Sequence, residues 1–187
     1  MMRHRPGQYV TRLVDRTAGL LRAIWYRAVY LSWVNFGQGV VFSGPIRCRG
    51  VTGTISVGDR TMLGPNISLA VADGGHIHIA SDVSINQGTI VSARHRISIG
   101  AGTRIGDHCS IRDADHRLAE APLTESGFVG VPVAIGANVW IGRLVTIMPG
   151  ITIGDGAVIG AHSLVTRDIP AKAIAFGTPA KVRGESP

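Results

Sequence analysis

The sequence predicts an all-β solenoid of triangular coils with a helical segment at its N-terminus. Three observations predict it. The 187 residues include 25 glycines and only 5% aromatic side chains, a balance that favours short strands and tight turns over a helical bundle. Large aliphatic side chains recur every sixth residue from Val57 to Val165. The recurrence falls into groups of three, and every interruption follows the third member of a group.

Residues 1–38 carry Leu20, Leu21, Ile24, Trp25, Val29, Leu31 and Trp33 among Arg16, Arg22 and Arg27. The arginines cut each apolar run short of the roughly 18 residues a spanning helix needs, and the segment does not read as a clean signal peptide. It is expected to be a helix that caps the open end of the solenoid. Weak attachment to a membrane surface is its second expected property.

Residues 39–170 are expected to form the solenoid. The beat runs Val57, Leu63, Leu69; Ile79, Ile85, Val91; Ile99, Ile105, Ile111; Ile135, Ile141, Ile147; and Ile153, Ile159, Val165. Glycine often follows the aliphatic, as at Gly58, Gly64, Gly106 and Gly142. Four residues after the aliphatic there is often a small or β-branched side chain, such as Thr61, Thr89, Thr103 or Val139, and Cys109 takes that slot too. A period of six matches neither a helix nor a meander. It matches short strands turning sharply at glycine, in coils that bury their apolar faces only by stacking. The spacing predicts about five coils.

Successive groups start 22, 20, 36 and 18 residues apart, so beyond three hexads the insertions are 4, 2, 18 and 0 residues. All extra residues therefore leave from one corner of the triangle. The largest insertion opens at "IRDADHRLAE" and gives a loop over residues 112–134. Long loops on a rigid scaffold commonly carry function.

The formal charge of +7 points to an anionic partner, among which are nucleic acid, a lipid surface and a phosphorylated small molecule. Cys48 and Cys109 are the only cysteines, which excludes a disulfide framework of several bridges and suits a reducing compartment. Both are read as small core side chains.

From Pro132 to Gly184 the chain reads "PVAIGANVWIGRLVTIMPGITIGDGAVIGAHSLVTRDIPAKAIAFGTPAKVRG". In the combination of "VWIG", "ITIGD", "VTRDIPA" and "GTPAKV" it resembles the hexapeptide-repeat acyltransferases, above all the maltose- and galactoside-type and the polysaccharide O-acetyltransferases. The resemblance covers roughly residues 50–184. It implies a left-handed parallel β-helix, a homotrimer with active sites between adjacent prisms, and acetyl-CoA as acyl donor. The hand comes from the resemblance alone, since the usual crossover preference is right-handed. The implied reaction is acyl transfer to a hydroxyl of a sugar or (lipo)polysaccharide precursor, without metal and without nucleic acid. The two cysteines and the basic N-terminal segment predict a cytoplasmic location, peripheral at the inner face of the membrane through residues 1–38.

A hydroxyl needs a positioned base to become a nucleophile, and an unperturbed imidazole titrates near 6.5. The resemblance assigns that role to His116. It assigns acceptor binding to Asn86, which follows Ile85 where glycine is usual. Asp113 and Asp115 are candidates for orienting His116 or for touching the acceptor. The backbone N–H of Arg143, with Gly142 allowing close approach, is the candidate oxyanion donor. Trp140 is expected beside the pantetheine arm, with Ala161, Thr166 and Arg167 along the CoA. Lys181 and Arg183, in the C-terminal segment 171–187, are expected to meet its phosphates. His162 stands where the family commonly has glycine.

Two other classes share the prism. A γ-type carbonic anhydrase-like metalloenzyme would hold zinc through three histidines, but His76, His78, His95, His108, His116 and His162 do not reproduce the H-x4-H spacing associated with it. A non-catalytic scaffold would need no histidine at the insertion.

Overall fold

The structure, a computed structural model, describes residues 34–50, 52–72, 74–117 and 126–186, together with 18, 19, 21, 22, 24–26, 28 and 29. Described residues between 18 and 29 are helical, and the rest of the described chain is short, mostly parallel strands joined by tight turns. The strands stack into three sheets, one for each face of a triangular prism.

The first face holds Val34–Phe36, Gly53–Val57, Gly75–Ile79, Arg96–Ile99, Val133–Ile135 and Thr152–Ile153. Val41–Phe42, Met62–Leu63, Ser84–Ile85, Arg104–Ile105, Trp140–Ile141 and Val158–Ile159 make the second face. On the third lie Ile46–Gly50, Ile67–Val71, Ile90–Ala93, Ser110–Arg112, Thr146–Ile147 and Leu164–Val165. The hexad beat sets the register. Ile99 pairs with Ile135, Ile105 with Ile141 and Ile111 with Ile147, so the long insertion leaves the stacking unshifted. Each of these isoleucines is 3% exposed or less, and burial of such a side chain contributes about 1.5–3 kcal/mol.

There are six coils, one more than the aliphatic beat suggests. The extra coil continues the same period through Phe36, Phe42 and Cys48, which pair with Val57, Leu63 and Leu69. Aromatic rings replace aliphatics because this coil has no neighbour beneath it. Phe42 meets Phe36 at 5.2 Å and the helical Tyr26 at 4.9 Å. The Tyr26 hydroxyl accepts a hydrogen bond from the Ile46 N–H at 2.9 Å, so the helix does cover the open end. Parallel coil structure thus begins at Val34, within the segment read as N-terminal. At the other end Ala173–Gly177 adds to the second face and Ala180–Glu185 folds back on it antiparallel.

Glycine after the aliphatic is a steric requirement. A Cβ on Gly106 would lie 2.5 Å from the Arg143 nitrogen, and one on Gly142 would lie 2.6 Å from the Ala161 nitrogen. The small polar slot does a second job. Thr61, Thr89 and Thr103 are fully buried, and their hydroxyls donate to Ala80, Gly106 and Gly136 carbonyls at 3.1, 3.0 and 2.8 Å. Cys109 follows the same pattern, its thiol 3.1 Å from the Gly142 carbonyl. Burial pushes both thiols up, that of Cys48 to about 12, as expected of inert core groups.

Thr103 also accepts from the Val139 N–H at 3.1 Å. Thr103→Val therefore strands two buried backbone groups, at a cost of about 2 kcal/mol. The expected fall in melting midpoint is roughly 4–8 °C by scanning calorimetry; an unchanged midpoint would contradict the role given to this slot.

Candidate active site

The long insertion leaves the third face as a hairpin. Ala114–His116 pairs antiparallel with Phe128–Gly130, and His116 stands opposite Phe128. The two rings lie 4.2 Å apart between centroids, and the Arg94 guanidinium sits 3.5 Å from the Phe128 centroid. Phe128 is thus a shared platform for an imidazole and a cation. Beside it, Arg94, His95, Gly127, Phe128 and Gly130 line a cavity of about 350 Å³. His116 itself is exposed, free to reach a group outside the prism.

Asp113 fixes the base of the hairpin. It is fully buried, and its two carboxylate oxygens accept from the Arg94 and His95 N–H groups at 2.8 and 2.7 Å. Its own carbonyl accepts from the Val131 N–H at 2.6 Å. Both oxygens are therefore engaged by backbone, where the sequence left Asp113 as a partner for the imidazole. Asp115 neighbours His116 in the strand and so projects to the opposite side. Among the described residues neither carboxylate bonds the His116 ring, and the groups that steady it are Phe128 and the pairing of the hairpin.

Asn86 lies at the corner between second and third faces. Its N–H donates to the Ile105 carbonyl at 2.9 Å, as the N–H of Gly64 does to Ile85. It is not among the left-handed residues; those at this corner sit two positions further on, at Asn66, Gly88, His108, Leu144 and His162. The exposed Asn86 side chain lines a depression of about 270 Å³ with Ser43, Met62, Gly64, Pro65, Gln87 and Asp107. The whole third face separates it from His116. At about 3.3 Å per residue that is roughly 20 Å, so a single copy does not bring the two together.

The remaining candidates divide between these two edges. Gly142, Arg143 and Ala161 occupy successive coils at the Asn86 corner, with Trp140 beside them on the second face, 62% exposed. Lys181 and Arg183 lie exposed on the last strand, which extends that same face. Thr166 and Arg167 follow Leu164–Val165 and lie on the His116 edge. His162 is exposed with φ of 59°, a conformation that accounts for the glycine preferred there.

Backbone donors at the turns are closed in some coils and open in others, and at the corner between first and second faces those of Ser81, Ala101 and Asp155 have no acceptor among the described residues. At the corner between first and second faces, the Gln38 and Ala137 N–H groups donate to Asp59 and Asp155, both at 2.7 Å. At the Asn86 corner the N–H groups of Gln87, Asp107, Arg143 and Ala161 have no acceptor among the described residues. They form a column of open donors suited to carbonyl oxygens or a developing oxyanion. Sequence reasoning named Arg143 and Ala161 of this column and missed Gln87 and Asp107. It also missed Phe128, although Phe128 is the only aromatic residue of the 112–134 insertion. Among the described residues no three His, Cys, Asp or Glu side chains are grouped to hold a metal ion.

Residues 132–167 match the family model described as bacterial transferase hexapeptide (six repeats). A protein of Escherichia coli named "Putative lipopolysaccharide biosynthesis O-acetyl transferase WbbJ" is 30% identical over 173 residues, covering 88% of this chain and 87% of that one. A galactoside O-acetyltransferase of the same species is 33% identical over 127 residues, covering 68% of this chain. This chain spans 62% of the galactoside protein's length, less than two thirds. In fold it is similar to a mutant of AntD, an N-acyltransferase from Bacillus cereus solved with a dTDP-amino sugar and coenzyme A. That likeness has a TM-score of 0.75 at 19% identity, over 87% of this chain and 89% of the other.

Asp113→Asn turns one acceptor into a donor facing a backbone N–H. The expected result is a loss of about 2 kcal/mol at the turn, read as faster amide exchange at Arg94 and His95 and a lower melting midpoint. Exchange as slow as in the wild type would remove Asp113 from the role of anchor.

Proposed function

The chain belongs to the bacterial hexapeptide-repeat transferases, and from that premise we propose that it moves an acetyl group from acetyl-CoA to a hydroxyl of a sugar or (lipo)polysaccharide precursor. One observation carries the reading: the insertion ends the regular coil in a hairpin that holds an exposed histidine against a ring and anchors its base through Asp113.

In the proposed reaction His116 takes the proton of the acceptor hydroxyl as its oxygen attacks the thioester carbonyl. The tetrahedral oxyanion is met by the open N–H of Arg143. The carbon–sulfur bond then breaks, CoA leaves as the thiol with the proton returned by His116, and the acetyl ester remains on the acceptor. Asn86 holds a sugar hydroxyl through its amide. Trp140, Gly142, Ala161, Thr166 and Arg167 border the donor, and Lys181 and Arg183 meet its phosphates.

The separation of Asn86 and His116 supports a homotrimer, in which the Asn86 edge of one copy lies against the His116 edge of the next. The buried, unpaired cysteines suit a cytoplasmic setting. No helix among the described residues is long and apolar enough to cross a membrane. Tyr26 turns the opposite side of the helix outward, leaving Leu21, Ile24, Trp25 and Val29 exposed. That stripe supports weak attachment to the inner membrane face; vesicles rich in anionic lipid should retain the protein at low salt, and failure to do so would exclude the attachment.

His116→Ala should lower transfer by roughly 10²–10⁴-fold while leaving oligomer mass and CoA affinity nearly intact, since the ring belongs to neither core nor phosphate contacts. Radiolabelled acetyl-CoA offered to a panel of sugar acceptors provides the assay. A folded His116→Ala protein working at the wild-type rate would overturn the mechanism.

A further inference from the structure

We propose that the third face carries an anion site built by Arg47 and Arg49, and that it holds a phosphate or pyrophosphate borne by the acceptor. The proposal rests on the acyl-transfer reading for its link to the acceptor, but not for the site itself.

In Ile46–Gly50 the side chains alternate. Ile46 and Cys48 are buried, and Arg47 and Arg49 are exposed on the outer surface of the face. Two residues along a strand are roughly 7 Å apart, so both guanidiniums can grip one polyanion. They line a cavity of about 370 Å³ with Asn66, Ser68, Gly88 and Ile90. Ser68 is the register partner of Arg47 on the next coil and brings a hydroxyl to the same wall.

Nothing acidic answers these charges. Outward register partners further along the face are Ala70, Ile90, Ser92, Ser110, Arg112, Thr146 and Leu164, none of them a carboxylate. Among the described residues the ion pair present is Arg60 with Asp82, and no hydrogen bond is made by the Arg47 or Arg49 side chain. Guanidinium forks are suited to bidentate phosphate recognition.

The donor's phosphates are assigned elsewhere. Lys181 and Arg183 follow the last coil, whereas Arg47 and Arg49 lie on the first. Five coil steps of about 4.8 Å separate the two ends by roughly 24 Å. The cavity instead adjoins the acceptor side, since Gly88 in its wall is two residues from Asn86 at the same corner. An acceptor whose sugar reaches Asn86 would place a phosphate attached to that sugar between the arginines. Soluble sugar phosphates, nucleotide-linked sugars and lipid-pyrophosphate sugars share this chemistry.

The test compares wild type, Arg47→Ala/Arg49→Ala and Arg47→Lys/Arg49→Lys, each checked for unchanged oligomer mass. Inorganic pyrophosphate is titrated calorimetrically with CoA saturating, so that the donor's phosphate site is filled. Wild type should bind, the alanine pair at least tenfold more weakly, and the lysine pair in between. Galactose, galactose 1-phosphate and UDP-galactose are then compared as acceptors. The ratio of phosphorylated to neutral kcat/KM should fall at least tenfold in the alanine pair. A lipid-linked acceptor assayed in detergent distinguishes the membrane-borne source from the soluble ones. Equal pyrophosphate binding by wild type and the alanine pair overturns the site. Loss of binding in a protein that acetylates nothing supports the site and fails the acyl-transfer reading. An unchanged acceptor ratio, with retention on phosphatidylglycerol vesicles lost in the alanine pair, overturns the acceptor role in favour of a lipid surface.

Discussion

Stacking of one coil directly on the next, at the spacing of a parallel ladder, is the constraint on which the rest of this molecule depends. It forces an aliphatic side chain inward at each strand and leaves no room for a Cβ where backbones approach, as between Gly106 and Arg143. It also forces the buried hydroxyls of Thr61, Thr89 and Thr103 onto the next coil's carbonyls. Extra residues can be accommodated only outside the stack. The insertion after Ile111 leaves at a corner and returns in register at Val133.

The same constraint divides the chemistry between two edges. At the corner between first and second faces Asp59 and Asp155 close the Gln38 and Ala137 donors of the coil before. At the Asn86 corner the N–H groups of Gln87, Asp107, Arg143 and Ala161 have no acceptor among the described residues. The opposite edge carries the hairpin, with Asp113 buried beneath it and His116 on top. A flat face lies between, too stiff to fold one edge onto the other. In the proposed reaction the two edges therefore meet only at the contact between copies.

Much of this was legible in the sequence, because a period of six leaves one physical solution and the slips in that period mark one corner. The first coil was not, because Phe36, Phe42 and Cys48 keep the beat in residues an aliphatic count passes over. Asp113 read as a partner for histidine because a carboxylate three residues away is in reach in sequence. Its burial and its two backbone partners are decided by the chain at Arg94 and His95, which sequence distance does not reveal. Phe128 was hidden in the same way, since antiparallel pairing across the insertion is what sets it against His116. The open donors are a property of absent caps, and absence has no motif.

The most direct measurement of the central claim, that each site is completed by two copies, is subunit complementation. Asn86→Ala and His116→Ala chains with different tags are co-expressed, mixed oligomers are purified, and transfer is assayed at limiting acceptor, where each variant alone is impaired. In a trimer with one residue from each neighbour, every mixed oligomer keeps one intact site of its three, so the purified mixed oligomers should show roughly a third of the wild-type rate. Mixed trimers no more active than the two parents would contradict the account.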